Sequence, residues 1–483
     1  MSTLDVKEIT DLMKKPNLAE KALIAKALAF ATKIHTGQTR YSGEPYINHP
    51  FAVAKNLVEM GADTETIIAG LLHDSVEDKP TCQEELVREF GPKVAFLVEG
   101  VTKLGKLKYQ GTTRHAESLR KLFVATAEDI RVILIRLADR LHNIQTLKFV
   151  SPEKQKRIAL ETLEIYAPLA NRLGMWKIKG TLEDASFPYV YPDEYKQVVA
   201  LRKNKGKELI KKLEKVYRVL SQELVKQKIA DFEIDYRIKY LYSLYKKLKR
   251  HNMNIDDIYD LSALRVIVNT IPECYQVLGI IHNVWVPIPN KWKDYIAHPK
   301  PNGYRSIHTA VFTGDGSIVE IQIRTREMQH DAEYGIASHL IYDESGKPKV
   351  GGIMTKNLNW LQELIEWQKN VNQSDEFLHT LKTNFFQDRI FVFTPKGDVI
   401  ELPKNATALD FAYRIHSNIG HQAVAAWVNG KFTSLDHKLN NRDLVKIETQ
   451  KNAKPSAKWL NLIKTTSARN YIKKFLQTKK PKD

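Results

Sequence analysis

The apolar residues of this chain change period once, and that change limits what it can fold into. From about residue 20 to residue 175 they recur at three- and four-residue spacing, as in KALIAKALAFATKIH, QEELVREFGPKVAFLVEGVTKL and EDIRVILIRLADRLHNIQTL. That period is helical and strand-like alternation is scarce, so an all-α domain is expected. From about residue 200 the pattern mixes. A lysine-rich helix precedes ALRVIVN and SIVEIQIRT, which alternate with period two as strands do. Farther on, RIFVFTPKGDVIEL reads as two strands around a Pro-Lys-Gly-Asp turn, ALDFAYRIHSNIG as a helix closed by glycine, and AAWVNGKF as a hairpin.

At 483 residues the chain is too long for one ordinary core. The expected division is an all-α domain at 1–175, a linker at 176–204 across FPYVYPDEY, and an α/β domain at 205–345 ending in YDESGKPKVGG. A helical linker at 346–383, a small β-rich unit at 384–450 and a basic helical tail at 451–483 follow. With 43% hydrophobic and 27% charged residues, the composition is that of a globular protein. No apolar run reaches the ~20 residues that span a bilayer, and the N-terminus has acids where a secretion signal needs bases, so no membrane partner is expected. Two cysteines, Cys82 and Cys274, exclude a disulfide framework or a cysteine-rich zinc module and suit the cytoplasm. A net charge of +18 points toward polyanions.

The stretch LLHDSVEDKP (71–80) gathers His73, Asp74, Glu77 and Asp78. On a continuous helix His73 neighbours Glu77 and Asp74 neighbours Asp78. Three carboxylates at a helix C-terminus oppose the macrodipole, so a solvated acidic end or a bound cation is expected. RYSGEPYINHP adds His49, and RLADRLHNIQTL adds Asp139, His142 and Asn143. Asp139 follows the run VILIRLA, where an unpaired buried carboxylate would cost several kcal/mol, on the order of 3–5. Two imidazoles and two carboxylates suit a borderline divalent ion such as manganese, iron or zinc. Glu77 and Asp78 could then serve as acid or base. His142 is read as structural packing, because the ligand set is already filled.

In the middle of the chain, YRIKYLYSLYKKLKRHN puts Arg237, Lys239 and Lys247 among tyrosines, either as a solvated basic face or as a triphosphate clamp. In SIVEIQIRT, Val319, Ile321 and Ile323 share one face, and Glu320, Gln322 and Arg324 share the other. A polar mid-strand face suggests a site. Asp260 and Glu320 could share magnesium, which favours one or two carboxylates plus phosphate oxygens. The loop KWKDYIAHPKPNGYRSIHTAV offers Lys293, Asp294, Lys300, Asn302, Tyr304 and His308, a mixture suited to a phosphorylated purine.

HDxxED at 73–78, with YxxHP before it and ADRLHN after it, resembles the hydrolase domain of the RelA/SpoT family, which makes and degrades (p)ppGpp. The resemblance implies that His49, His73, Asp74 and Asp139 hold Mn²⁺ and that Glu77 and Asp78 help water attack the 3′-diphosphate. Arg40, Ser42, Asn143 and Thr146 would hold the nucleotide; Tyr41 stands where a basic residue is expected. The loop above and EIQIRTREMQHDAEYGIASH resemble the family's nucleotidyltransferase-like synthetase domain. By that resemblance Arg237 and Arg265 sandwich adenine, Lys239 and Lys247 meet the ATP phosphates, and Asp260 and Glu320 bind Mg²⁺. Glu320 would also activate the acceptor 3′-hydroxyl. Tyr304 would stack on guanine, with Lys300, Asn302, His308 and Gln322 around it. Lys291-Trp292-Lys293-Asp294 matches the basic pattern of bifunctional members, which implies both activities and a leaning toward GDP over GTP.

Residues 389–431 resemble a TGS domain, a β-grasp-like module, in which His416 matches a tRNA-contacting position. The family's long members continue into ribosome-engaging domains, so a short form in which ribosome binding is doubtful is the expectation. The partners implied are ATP, GDP or GTP, (p)ppGpp and, through the TGS module and basic tail, tRNA. Two alternatives are a hydrolase-dominant member with weak synthetase activity and an RNA-binding regulator with degenerate sites. The second predicts gaps among the ligand residues, and the sequence has none.

Overall fold

The computed structural model describes all residues except 1–3, 14, 79–81, 103–110, 230, 259–260, 301, 315, 341–352, 369–372, 382–385, 387–388 and 478–483. Among helical and strand residues it also leaves out the side chains of 77–78, 82, 111–115, 118, 206–209, 262, 339–340, 353–359, 375 and 379. The chain forms two compact units, 1–370 and 371–483. No helix among the described residues is long and apolar enough to cross a membrane.

The first unit is helical as far as Lys226, as the three- and four-residue spacing requires. Helix Leu18–Ile34 starts in a capping box, in which the Asn17 side chain accepts from the Glu20 amide and Glu20 accepts from the Asn17 amide. Helix Asn48–Glu59 packs on helix Thr64–Leu72, and both meet helix Arg131–Gln145. Leu57, Ile67, Leu71, Leu134 and Leu137 are fully buried between them. Gly70 lets the first two helices approach closely, because a Cβ there would overlap Leu57 Cδ1. Residues 73–74 interrupt the helix, and a short one resumes at Ser75–Asp78. The helix expected through HDSVED is thus present on both sides of His73 and Asp74, and the expected pairing with Glu77 and Asp78 falls on side chains outside the described residues.

Residues 176–204 are more than a tether. Helix Trp176–Val190 buries Ile178, Leu182 and Phe187, and helix Pro192–Lys226 starts one residue after it, with proline at a first-turn position that needs no amide. Helix Ile353–Gln368, from the stretch read as a second linker, likewise buries Trp360, Leu361 and Leu364.

The sheet of the first unit contains β1 (Glu233–Ile238), β2 (Ser262–Val268), β3 (Val286–Pro287), β4 (Lys293–Asp294), β5 (Ile307–Phe312) and β6 (Ile318–Thr325). Its order is β1-β2-β6-β5-β3, with β4 paired to β5; β2 and β6 are parallel and the other pairs antiparallel. Leu264, Val266, Ile307, Val311, Val319, Ile321 and Ile323 form one face, packed on Cys274, Val277 and Ile281 of helix Ile271–Val284 and on Leu213, Val216 and Leu220. The opposite face is polar. Its register sets Arg265 and His308 on either side of Gln322, and Ala263 and Ala310 on either side of Glu320. The helical domain and the sheet meet at backbone level: the Ile336 amide donates to Leu173 O at 2.9 Å, beside Gly174 and Gly335. Both glycines have positive φ, and a Cβ on either would strike backbone.

The second unit holds the hairpin β7 (Arg389–Phe393) and β8 (Val399–Pro403), and the sheet β10 (Lys431–Thr433), β9 (Ala423–Val428), β11 (Val445–Thr449). Asn429 and Gly430 turn β9 into β10 with φ of 51° and 78°, the left-handed pair that short hairpins prefer. Helix Ala408–Ile415 buries Phe411 against Val392, Leu402 and Val445. It ends before His416 rather than at the following glycine, and His416 caps the next helix by accepting from the Asn418 amide. The basic tail is docked rather than free along helix Thr466–Gln477. Ile463, Ala468 and Ile472 are buried against Leu409 and Ala412, because every third or fourth tail residue is apolar. The carboxylate of Asp410, fully buried, accepts from the amides of Thr407, Lys464 and Thr465 and from two threonine hydroxyls.

Candidate functional sites

His49 lies in the first turn of helix Asn48–Glu59, His73 and Asp74 at the break after Leu72, and Asp139 inside helix Arg131–Gln145. Close packing of these helices brings the four together. His49 Nε2 is 3.6 Å from Asp74 Oδ2 and 3.3 Å from Asp139 Oδ1, and His73 Nε2 is 3.2 Å from Asp74 Oδ1 and 4.0 Å from Asp139 Oδ1. His49, His73 and Asp74 offer ligand atoms within 4.8 Å of one another.

Hydrogen bonding at the far side of each ring fixes where the lone pairs point. His73 Nδ1 donates to Gly70 O at 2.8 Å, which leaves Nε2 bare in the neutral ring; that buried atom makes no hydrogen bond among the described residues. Arg40 Nη1 is 2.9 Å from His142 Nδ1 and can only donate to it. His142 Nδ1 is then an acceptor, so His49 Nδ1, 2.8 Å away, is protonated and His49 Nε2 is bare. Two imidazole lone pairs and two carboxylates therefore face one another, an arrangement that repels unless a cation sits between them. Burial pushes the pKa of His49 down, which keeps the ring neutral as ligation requires.

The surroundings orient this cluster. Burial alone would raise the Asp139 pKa, but the Arg136 guanidinium outweighs it and holds the carboxylate ionised. Arg136 Nη1 donates to Asp139 Oδ2 at 2.8 Å and Asn143 Nδ2 to Oδ1 at 2.5 Å. Tyr46 donates to Asp74 Oδ2 at 2.8 Å. Arg40 Nη2 donates to Asn143 Oδ1 at 2.7 Å, while Thr146 binds back to His142 O and Ser42 lies in an exposed turn 3.5 Å from Glu44. Tyr41 is 75% exposed, with the Lys154 ammonium 5.3 Å from its ring centre. The side chains of Glu77 and Asp78 lie outside the described residues.

The polar face of the sheet lines a cleft of about 390 Å³ containing Arg237, Lys239, Arg265, Lys293, Lys300, Tyr304, His308 and Glu320. Its floor is a chain of hydrogen bonds. Arg324 Nη2 donates to Tyr304 Oη and to Gln322 Oε1, both at 2.8 Å. Tyr304 Oη lies 2.7 Å from His308 Nε2, His308 Nδ1 is 3.1 Å from Glu320 Oε1, and Gln322 Nε2 donates to the same oxygen at 2.8 Å. Burial would raise the Glu320 pKa, but His308, Gln322 and Arg237 carry it down to about 2. Burial pushes His308 down to about 4 and Lys300 down to about 8. The cleft is thus a cationic basin around the firmly ionised Glu320, with Glu333 also in its lining, suited to a polyphosphate.

Residues 27–176 match the family described as HD domain, residues 236–347 the region found in RelA / SpoT proteins, and residues 390–449 the TGS domain. Over 463 residues the chain is 49% identical to the Aquifex aeolicus guanosine-3′,5′-bis(diphosphate) 3′-pyrophosphohydrolase, covering 96% of this chain and 65% of that protein. It is 46% identical to the Myxococcus xanthus GTP pyrophosphokinase, over 94% of this chain and 60% of that one. It is 43% identical to the Escherichia coli bifunctional (p)ppGpp synthase/hydrolase SpoT, over 95% of this chain and 65% of that one. This chain belongs to the RelA/SpoT family. It spans 60–65% of the length of these relatives.

In this RelA/SpoT chain, Arg237 and Arg265 are diagonal neighbours on one face of β1 and β2, and Asp235 lies 3.5 Å from Arg265. Three expected nucleotide residues are not among the lining of the cleft. Lys247 is on helix Leu241–Arg250, Gln322 is fully buried beneath Glu320, and Asn302 donates to Asn171 O at 3.2 Å. Asp260 lies outside the described residues. The sequence did not single out Trp176 and Lys179 in the cleft or Tyr46 and Arg136 at the cluster, whereas Arg324 lies on the polar strand face as expected and His142 packs beside His49. Arg136 stands three residues before Asp139, a helical spacing that would have found it. Trp176 comes from a different helix, and no local pattern signals it.

Proposed function

We propose that the chain is a bifunctional alarmone enzyme. The helical site hydrolyses the 3′-diphosphate of (p)ppGpp and releases pyrophosphate. The sheet site joins the acceptor 3′-oxygen of GDP or GTP to the β-phosphorus of ATP, breaks the bond to the α-phosphate and releases AMP. The observation that carries this reading is the pair of bare imidazole nitrogens facing Asp74 and Asp139, separate from a cation-lined cleft around Glu320. The names of relatives for both directions support it.

At the hydrolase site His49, His73, Asp74 and Asp139 would hold Mn²⁺, which when bound supplies a Lewis acid for phosphate chemistry at neutral pH. Arg40 uses two of its five donors on His142 and Asn143 and offers the rest to phosphate. Ser42 and Thr146 add hydroxyls, and Glu77 and Asp78 take the proton of the attacking water. At the synthetase site Glu320, with Asp260, would hold Mg²⁺ and accept the proton of the 3′-hydroxyl. Arg237, Lys239, Arg265 and Lys293 offset the charge of the triphosphate. The Lys291–Asp294 stretch favours GDP as acceptor, and the chain works in the cytoplasm.

One observation favours a resting state in which hydrolysis dominates. Tyr304, the expected guanine platform, is only 8% exposed, with the Lys300 ammonium 4.7 Å from its ring centre. Nucleotide occupancy of one site suppresses the other in this reading, because both together would only consume ATP. Paired assays test it. Labelled ATP with GDP and Mg²⁺ should give ppGpp, and supplied ppGpp with Mn²⁺ should give GDP and pyrophosphate. No product from the first refutes the synthetase assignment, and hydrolysis that survives chelation refutes the metal assignment.

A further inference from the structure

Trp176 opens the helix that follows the helical domain, sixty residues before the matched synthetase region begins. It nevertheless lines the synthetase cleft. Its ring lies 5.6 Å from that of Tyr304 at an angle of 54°, and Tyr295 stands 6.0 Å from Tyr304 at 68°. Three rings thus converge on one volume. The Lys300 ammonium fills it, 4.6 Å from Tyr295, 4.7 Å from Tyr304 and 5.3 Å from Trp176.

A second observation is independent of the rings. The indole Nε1 of Trp176 is shielded from solvent and makes no hydrogen bond among the described residues. Buried indole N–H groups nearly always have a partner, and leaving one unpaired is unfavourable unless an acceptor arrives. Guanine presents two adjacent acceptors, O6 and N7, on one edge; adenine presents a donor at the matching position. The aromatic volume beside Tyr304 is where the acceptor base would lie.

We propose that Trp176 is a specificity-determining residue of the acceptor site: its ring walls the base pocket opposite Tyr304, and its indole N–H donates to the O6/N7 edge of guanine. This rests on the acceptor-site reading above. The Lys300 side chain holds the pocket in the absence of nucleotide and swings out as the base enters. Because Trp176 belongs to the helix that continues from the helical domain, base recognition is shared between the two domains of the first unit.

The test is Trp176→Phe, which keeps a ring and removes the donor. The KM for GDP should rise about fivefold, the size of one hydrogen bond, with kcat and the KM for ATP within twofold of wild type. Trp176→Leu, which also removes the wall, should raise the KM for GDP further, and equilibrium binding of GDP without ATP should weaken in the same order. An unchanged KM for GDP in both variants overturns the proposal, as does an equal rise in both KM values with a lowered Tm, which marks a structural role. If wild type itself makes no ppGpp from ATP and GDP, it is the acceptor-site reading that fails. If wild type is active and Trp176→Phe is indistinguishable from it, only the Trp176 assignment falls.

Discussion

His49 Nδ1 stands 2.8 Å from His142 Nδ1, and the arginine beside them forces the proton onto His49. His142 therefore does not ligate; it sets the tautomer of a residue that can. Partners of this kind are worth 10–100-fold in metal affinity when removed. His142→Ala should weaken Mn²⁺ activation of ppGpp hydrolysis by about that factor, with recovery at high Mn²⁺. A rate that stays low at saturating metal would show that His142 acts on something other than ligation.

Arg136 should matter even without metal. It donates to Asp139 Oδ2, and Asp139 is 4% exposed. Removing a partner from a buried carboxylate costs about 1–3 kcal/mol or more. Arg136→Ala should lower stability by about that amount in denaturant unfolding of the metal-free chain, and added Mn²⁺ should restore part of it. No loss would mean that solvent already satisfies the carboxylate.

Lys300 gives a pH signature. Burial pushes its pKa down from 10.5 to about 8. Between pH 8 and 10.5 the unfolded chain binds a proton that the native chain does not, so native stability climbs over that window. At pH 7 both states are protonated, and the buried ammonium is a net penalty. Lys300→Met should stabilise the nucleotide-free chain at pH 7, by on the order of 1–3 kcal/mol, and the advantage should shrink toward zero by about pH 10.5. Unfolding curves at pH 7, 9 and 10.5 check this; an advantage that does not change with pH would contradict the burial of the charge.

In the second unit, Asp410 ties the tail helix to helix Ala408–Ile415 through the amides of Lys464 and Thr465. Asp410→Ala leaves several donors unsatisfied and should destabilise the unit by about 2 kcal/mol or more. Hydrogen exchange across 466–477 should accelerate, whereas ppGpp hydrolysis should be unaffected.

Much of this was legible in sequence where one element carries the whole signal. The alternation of SIVEIQIRT sends Val319, Ile321 and Ile323 into the core and leaves Glu320 on the cleft face. The helical period of the first domain places Asp139 on a helix; His49, in the turn-rich stretch RYSGEPYINHP, carries no such signal. What was not legible depends on breaks and on partners distant in sequence. The turn at His73–Asp74 has no proline or glycine to announce it. Nothing in NGY implies that Asn302 donates to Asn171. The tail's helical period shows an apolar face, but nothing local shows that Leu409 and Ala412 receive it.

A cation held between the two imidazoles can be counted directly if the site binds one. Titrating the purified metal-free chain with Mn²⁺, followed by electron paramagnetic resonance, should show one tightly bound ion per chain in wild type and none in His73→Ala or Asp139→Ala, with both variants still folded. The same tight binding in all three proteins would contradict the site.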